Sequence, residues 1–153
     1  MLRLGLAAGA MAALAFAGEF TFSIGSPVAA QDFRAKAAAF VFRTQDCADP
    51  AKAQISATAE GLVNGVRRSV ALKVEAMAKP GVYAVYQTWG PEGRWLVNLK
   101  GTCGEANAGA IIPIGPKGFL RESAKFFPRP ATRAEIETSL KALNQSENKG
   151  DHQ

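Results

Sequence analysis

The run PGVYAVYQTWGPEGRWLVNLKG, Pro80 to Gly101, holds both tryptophans and both tyrosines of a 153-residue chain, and its reading decides the fold. Past Pro80-Gly81, Tyr83, Val85 and Trp89 share one face with Gln87, while Val82, Ala84 and Tyr86 share the other. Past the GPEG segment, Trp95, Val97 and Leu99 alternate with Arg94, Leu96, Asn98 and Lys100. A period of two belongs to strands, whose successive side chains point to opposite faces. The segment therefore reads as two strands joined at GPEG, the central hairpin of a sheet. Trp95, Val97 and Leu99 are expected in the core. Tyr83 and Trp89 are expected inside and Tyr86 outside, since one tyrosine must leave the face that carries Trp89. Tyr86 and the GPEG turn with Glu92 are then the candidate partner contacts.

Working outward, VRRSVALKVEAMA (66–78) reads as one long strand. Val66, Arg68, Val70, Leu72, Val74 and Ala76 lie on one face, with Arg67, Ser69, Ala71, Lys73 and Glu75 on the wet one. Arg68 is expected at the rim, where a long side chain reaches water. Earlier, AKAAAFVFRT (35–44) places Phe40 and Phe42 on one face, and AQISATAEG sets Ile55, Ala57 and Ala59 against polar neighbours. Asn64-Gly65 marks a turn that needs positive φ. Later, GTCGEANAGA reads as a loop around Cys103. AIIPIG reads as an edge strand or bulge because Pro113 lacks a donor, and RESAKFF adds one more strand. Short strands at roughly ten-residue spacing with Gly- and Pro-bearing turns predict an all-β fold, an immunoglobulin-like antiparallel β-sandwich.

The ends change character. Thr132 followed three residues later by Glu135 has capping-box spacing, and Ile136, Leu140 and Leu143 form one helical stripe, so a short C-terminal helix is expected. The domain is placed at 31–145, with 146–153 a polar, disordered tail holding the sole histidine, His152. At the start, MLR precedes the apolar run Leu4–Ala17, which has the layout of a secretory signal. Small-residue sites occur at Ala15-Phe16-Ala17 before Gly18 and at Val28-Ala29-Ala30 before Gln31. The second is preferred, giving a signal peptide of residues 1–30; an uncleaved amino-terminal anchor is the alternative.

Export carries Cys47 and Cys103, the two cysteines of the chain, into an oxidising compartment, so a disulfide between them is expected. It would tie QDCADPAK to GTCGEANAG and stiffen both loops. The net charge of +5 suits an anionic partner, but the basic residues are scattered without a stripe, so nucleic acid is not expected. Catalysis lacks a base: a nucleophile needs a positioned one, and His152 sits in the tail. Asp46, Asp49, Glu92 and Glu105 are acidic loop residues that nothing singles out, and no Gly-rich phosphate loop opens a helix.

Pro80, Gly81 and Tyr83, followed by Gly93 and Trp95, resemble the Pro-Gly-x-Tyr strand, tight turn and Gly-x-Trp strand of bacterial exported immunoglobulin-like domains of the YtkA/FixH type. That resemblance implies a sandwich fold and an association with copper or respiratory-oxidase assembly. The ligands for copper are poor: past the leader there is only Met77 and His152, far apart in the sequence, and copper prefers soft thioether, thiolate or imidazole ligands. The sequence reading is therefore a non-enzymatic binding or accessory module without a cofactor, periplasmic or secreted. Its partner would be another envelope protein or an anionic surface, with membrane contact only through an uncleaved signal segment. A periplasmic copper-trafficking or oxidase-assembly domain is the second reading.

Overall fold

The computed structural model describes residues 19–148. Ten strands form two antiparallel sheets. Sheet A has the order β1 (Thr21–Gly25), β2 (Phe40–Gln45), β6 (Val82–Val85), β5 (Val74–Ala76). Sheet B has the order β10 (Lys125–Phe127), β8 (Ala106–Gly115), β7 (Arg94–Cys103), β3 (Gln54–Val63), β4 (Val66–Ala71), with β9 (Gly118–Phe119) also paired to β8. Helix α1 (Arg133–Asn148) follows. The inner faces meet in one core: Phe22, Phe40, Phe42, Tyr83 and Val85 come from sheet A, and Ala57, Ala59, Trp95, Val97, Leu99 and Ile112 from sheet B. This is the expected all-β sandwich, with Trp95, Tyr83 and Trp89 inside as the alternation demands.

The domain begins earlier than Gln31. Phe20, Phe22 and Ile24 alternate with Thr21 and Ser23, and β1 pairs with β2 from Thr21↔Gln45 to Gly25↔Val41. All three apolar side chains are buried in the core. This alternation lies within the leader expected over residues 1–30, directly after its apolar run, and so is easily taken as part of it. Two 3-10 turns, Pro27–Ala30 and Phe33–Ala37, then follow, and the second takes the place of the front of the strand expected over 35–44, which begins only at Phe40. They bring Ala30, Ala35 and Ala38 against Val41, Met77, Val82 and Ala84 on the outer face of sheet A.

Two expected continuities break. The predicted strand over 66–78 is two strands: β4 closes a hairpin with β3, and β5 pairs with β6 in the other sheet. The PGVYAVYQTWGPEGRWLVNLKG segment is not a hairpin either. β6 ends at Val85, and the chain crosses from sheet A to sheet B before β7 begins at Arg94, so the two strands that carry the family resemblance lie in opposite sheets. In contrast, the expected loop around Cys103 is a tight hairpin, β7 pairing β8 down to Cys103↔Ala106. Pro113 is not at an edge. It sits in β8, where β10 covers up to Ile111 and β9 covers from Ile114, so its missing donor falls in a gap of the ladder. Its carbonyl accepts from the Leu120 N–H at 2.8 Å.

The Asn64-Gly65 turn is confirmed with φ of 50° and 74°, the conformation a two-residue hairpin needs. The cap of α1 is reciprocal: Thr132 N–H donates to Glu135 Oε2 at 2.7 Å, and Glu135 N–H donates to Thr132 Oγ1 at 3.2 Å. Ile136, Leu140 and Leu143 pack on Leu96, Ile111 and Leu62, so the helix covers the outer face of sheet B. It extends to Asn148, through part of the segment expected to be tail; His152 lies outside the described residues.

Candidate functional site

Cys47 and Cys103 form the expected disulfide, with a Cα–Cα distance of 5.8 Å and a sequence separation of 56. It ties the loop after β2 to the end of β7 and so joins the two sheets. Such a bond persists in oxidising surroundings. Among the described residues no helix is long and apolar enough to cross a membrane.

The two candidate partner contacts lie in different places. Glu92 is exposed in the crossover between the sheets, where Trp95 Nε1 donates to its carbonyl at 2.8 Å. A cavity of about 490 Å³ runs beside it, lined also by Val63, Arg68, Val70 and Pro91. Arg68 is exposed at this edge, as its position in the strand pattern suggested. Tyr86 is directed away from the core as expected, but that side of sheet A is covered. Its hydroxyl donates to the Arg34 carbonyl at 2.9 Å, and Lys73 Nζ lies 5.3 Å from its ring centroid. Burial, helped by the nearby Glu75 carboxylate, pushes its phenol above the ordinary value. Tyr86 is thus a fastener for the turn that covers it rather than an open contact.

That turn defines a site the sequence reading missed. Asp32 caps it, accepting from Arg34 N–H at 3.0 Å and from the guanidinium at 2.8 Å, while Ala78 N–H donates to Asp32 at 3.2 Å. The Asp32 side chain is only 8% exposed, and the Arg34 guanidinium, helped by these backbone donors, holds its carboxyl well below the usual carboxylate range. Arg34 also reaches Glu75 at 3.4 Å, and Glu75 in turn meets Lys73 at 3.3 Å. Both acids near the turn are therefore already matched by cations.

Phe33 faces outward from this anchored turn, and Val28 from the 3-10 turn before it. Val28 is 85% exposed and Phe33 79%, and with Pro27 and Lys36 they line an open groove. Gln31 forms one wall of this groove and, on its other side, a wall of a second cavity of about 350 Å³. It has φ of 52°, an uncommon conformation for a residue with a side chain. Arg43, Lys79 and Arg121 line the second cavity over Val41 and Val82, and no carboxylate lines it. Arg121 spends one donor on the Ile24 carbonyl at 3.0 Å, and a guanidinium has others to give. Among the described residues, Lys36, Arg43 and Lys79 have no acidic partner.

Asp46 and Asp49 are exposed on the loop after β2, Glu92 in the crossover and Glu105 in the β7–β8 turn, and Asp49 is 3.6 Å from Lys52. Among the described residues no three His, Cys, Asp or Glu side chains come together. Among the described residues the donors do not fit copper: both thiols are joined in the disulfide, and Met77 is buried among the alanines and valines of the outer cluster.

No known family, curated protein or solved structure matches the chain.

Proposed function

We propose that the chain is an exported, non-enzymatic binding or accessory module of the immunoglobulin-like type, working in the periplasm or outside the cell. Its binding surface is the outer face of sheet A, around the two 3-10 turns, rather than the GPEG turn. One observation carries this reading. Phe33 is 79% exposed on a turn held by Asp32, Arg34 and Tyr86, beside cations without acidic partners. A single exposed apolar residue is ordinary. An apolar side chain fixed on such a hydrogen-bonded turn, with Val28 exposed on the turn before it, is preorganised for contact, and preorganisation lowers the entropy lost on binding.

Export is supported by the apolar leader and by the disulfide. The place of β1 in the core favours removal of the leader after Ala17, because removal after Ala30 would strip Phe20, Phe22 and Ile24 from the sandwich.

A photoreactive amino acid placed at position 33, and at the exposed Phe126 on the opposite sheet as a control, tests the surface in the native envelope. Adducts with any macromolecule, protein or lipid, are expected from position 33 and not from 126. Adducts from 126 alone, or from neither, contradict the reading.

A further inference from the structure

The outer face of sheet A carries two kinds of surface side by side. One is apolar and projecting: Val28 and Phe33 stand out from consecutive 3-10 turns, flanked by Pro27 and Lys36. The other is cationic and recessed: Arg43, Lys79 and Arg121 ring a cavity with no carboxylate in its wall. Gln31 separates them by a single residue's width. The acids that might have neutralised the cations, Asp32 and Glu75, are engaged by Arg34 and Lys73.

We infer that this face docks on an anionic lipid bilayer, with Val28 and Phe33 entering the boundary of headgroups and acyl chains while Lys36, Arg43, Lys79 and Arg121 meet the lipid phosphates. The inference rests on the reading of this face as the binding surface and names what it binds. Two observations and one general rule select a bilayer over a protein partner or a free anion. The apolar surface is two projecting tips over an open groove, a shape that enters a fluid interface and does not enclose a ligand. The positive charge is spread over side chains from β2, the turn before β6 and the segment after β9, so it matches a plane of phosphates better than one ion. A weak apolar anchor joined to a basic patch is the combination that gives reversible attachment to anionic membranes. The sequence reading allowed membrane contact only through the leader; this surface supplies a second route that outlasts leader removal.

The test is co-sedimentation of the exported, disulfide-bonded protein with phosphatidylcholine vesicles, with and without phosphatidylglycerol. Binding is expected only where phosphatidylglycerol is present, and it should fall with added salt. Phe33→Ala should weaken it roughly tenfold or more, since the buried ring is lost. Arg43→Gln and Lys79→Gln should each weaken it about fivefold. Lys141→Gln, exposed on α1, should leave it unchanged. These side chains are exposed or line an open groove, so thermal melts should superimpose and exclude misfolding as the cause. Equal binding to both vesicles, or binding to neither, overturns the inference. Displacement from vesicles by millimolar glycerol phosphate would also overturn it, by showing that the cavity takes a free phosphate ester. If position 33 captures protein in the envelope while vesicles are not bound, the lipid inference fails and the binding surface stands; if neither occurs, both fail.

Discussion

Gly61 of β3 faces Trp95 of β7 in register, and the indole occupies the space that a side chain at 61 would need. A Cβ built on Gly61 would lie 2.6 Å from Trp95 Cδ2. Trp95 is the second residue of β7, straight after the chain has crossed between the sheets, so this contact fixes where the crossover lands. Gly61→Ala should force the ring aside and destabilise the protein by about 1–3 kcal/mol, the usual range for overpacking a core. Denaturant unfolding measures it directly, and an unchanged midpoint would mean that the indole lies elsewhere.

The disulfide should be worth far more than its single contact. Closing a loop of 56 residues removes about 4 kcal/mol of chain entropy from the unfolded state. Paired Cys47→Ser and Cys103→Ser substitutions should therefore lower Tm by roughly 10 °C or more. Thiol titration of the exported wild type should find none until reductant is added.

Acid should act first on the start of α1. Arg129 and the Thr132 backbone hold the Glu135 carboxyl at about 2, against 4.5 when unperturbed. A carboxylate with a depressed pKa stabilises the fold fully above its unfolded value. That contribution disappears as pH falls from 4.5 through about 2. Glu135→Gln should flatten this part of the stability profile, read by thermal melts across the range. Retention of the full acid slope in the variant would show that the capping box is not its source.

Asn98 and Ser139 are buried polar residues where α1 covers sheet B, and Asn98 Oδ1 and Ser139 Oγ have no hydrogen-bond partner among the described residues. An unmatched buried hydroxyl opposes folding, and alanine is the better helix former. Ser139→Ala should stabilise the protein by about 1 kcal/mol. Destabilisation would reveal a partner for the hydroxyl.

Much of the core was legible because period-two alternation reports which side chains face inward. It placed Phe40 with Phe42, Ala57 with Ala59, and Trp95 with Val97 and Leu99 correctly. The capping box and the Ile136–Leu140–Leu143 stripe were equally local signals. Alternation says nothing, however, about which sheet a strand joins. Val70, Leu72 and Val74 all pack on the same core although β4 and β5 belong to opposite sheets, so the pattern runs unbroken through the crossing. The same ambiguity made the Trp89–Trp95 crossover look like a hairpin. The candidate site was harder still. Residues 27–37 fold largely as 3-10 turns without a long hydrophobic period, so exposed Val28 falls within the expected leader and exposed Phe33 two residues before the strand expected from Ala35. Only the burial of Phe20, Phe22 and Ile24 assigns the preceding segment to the domain.

Phe20 to Gln31 must belong to the working protein, because β1 completes sheet A and the turn after it carries the binding face. Losing β1 would remove three buried apolar side chains, each contributing about 1.5–3 kcal/mol, and bare the edge of β2. The intact mass of the protein recovered from the envelope decides the matter. A mature chain beginning at Gly18 is the predicted result. A folded, disulfide-bonded chain beginning at Gln31 would contradict it.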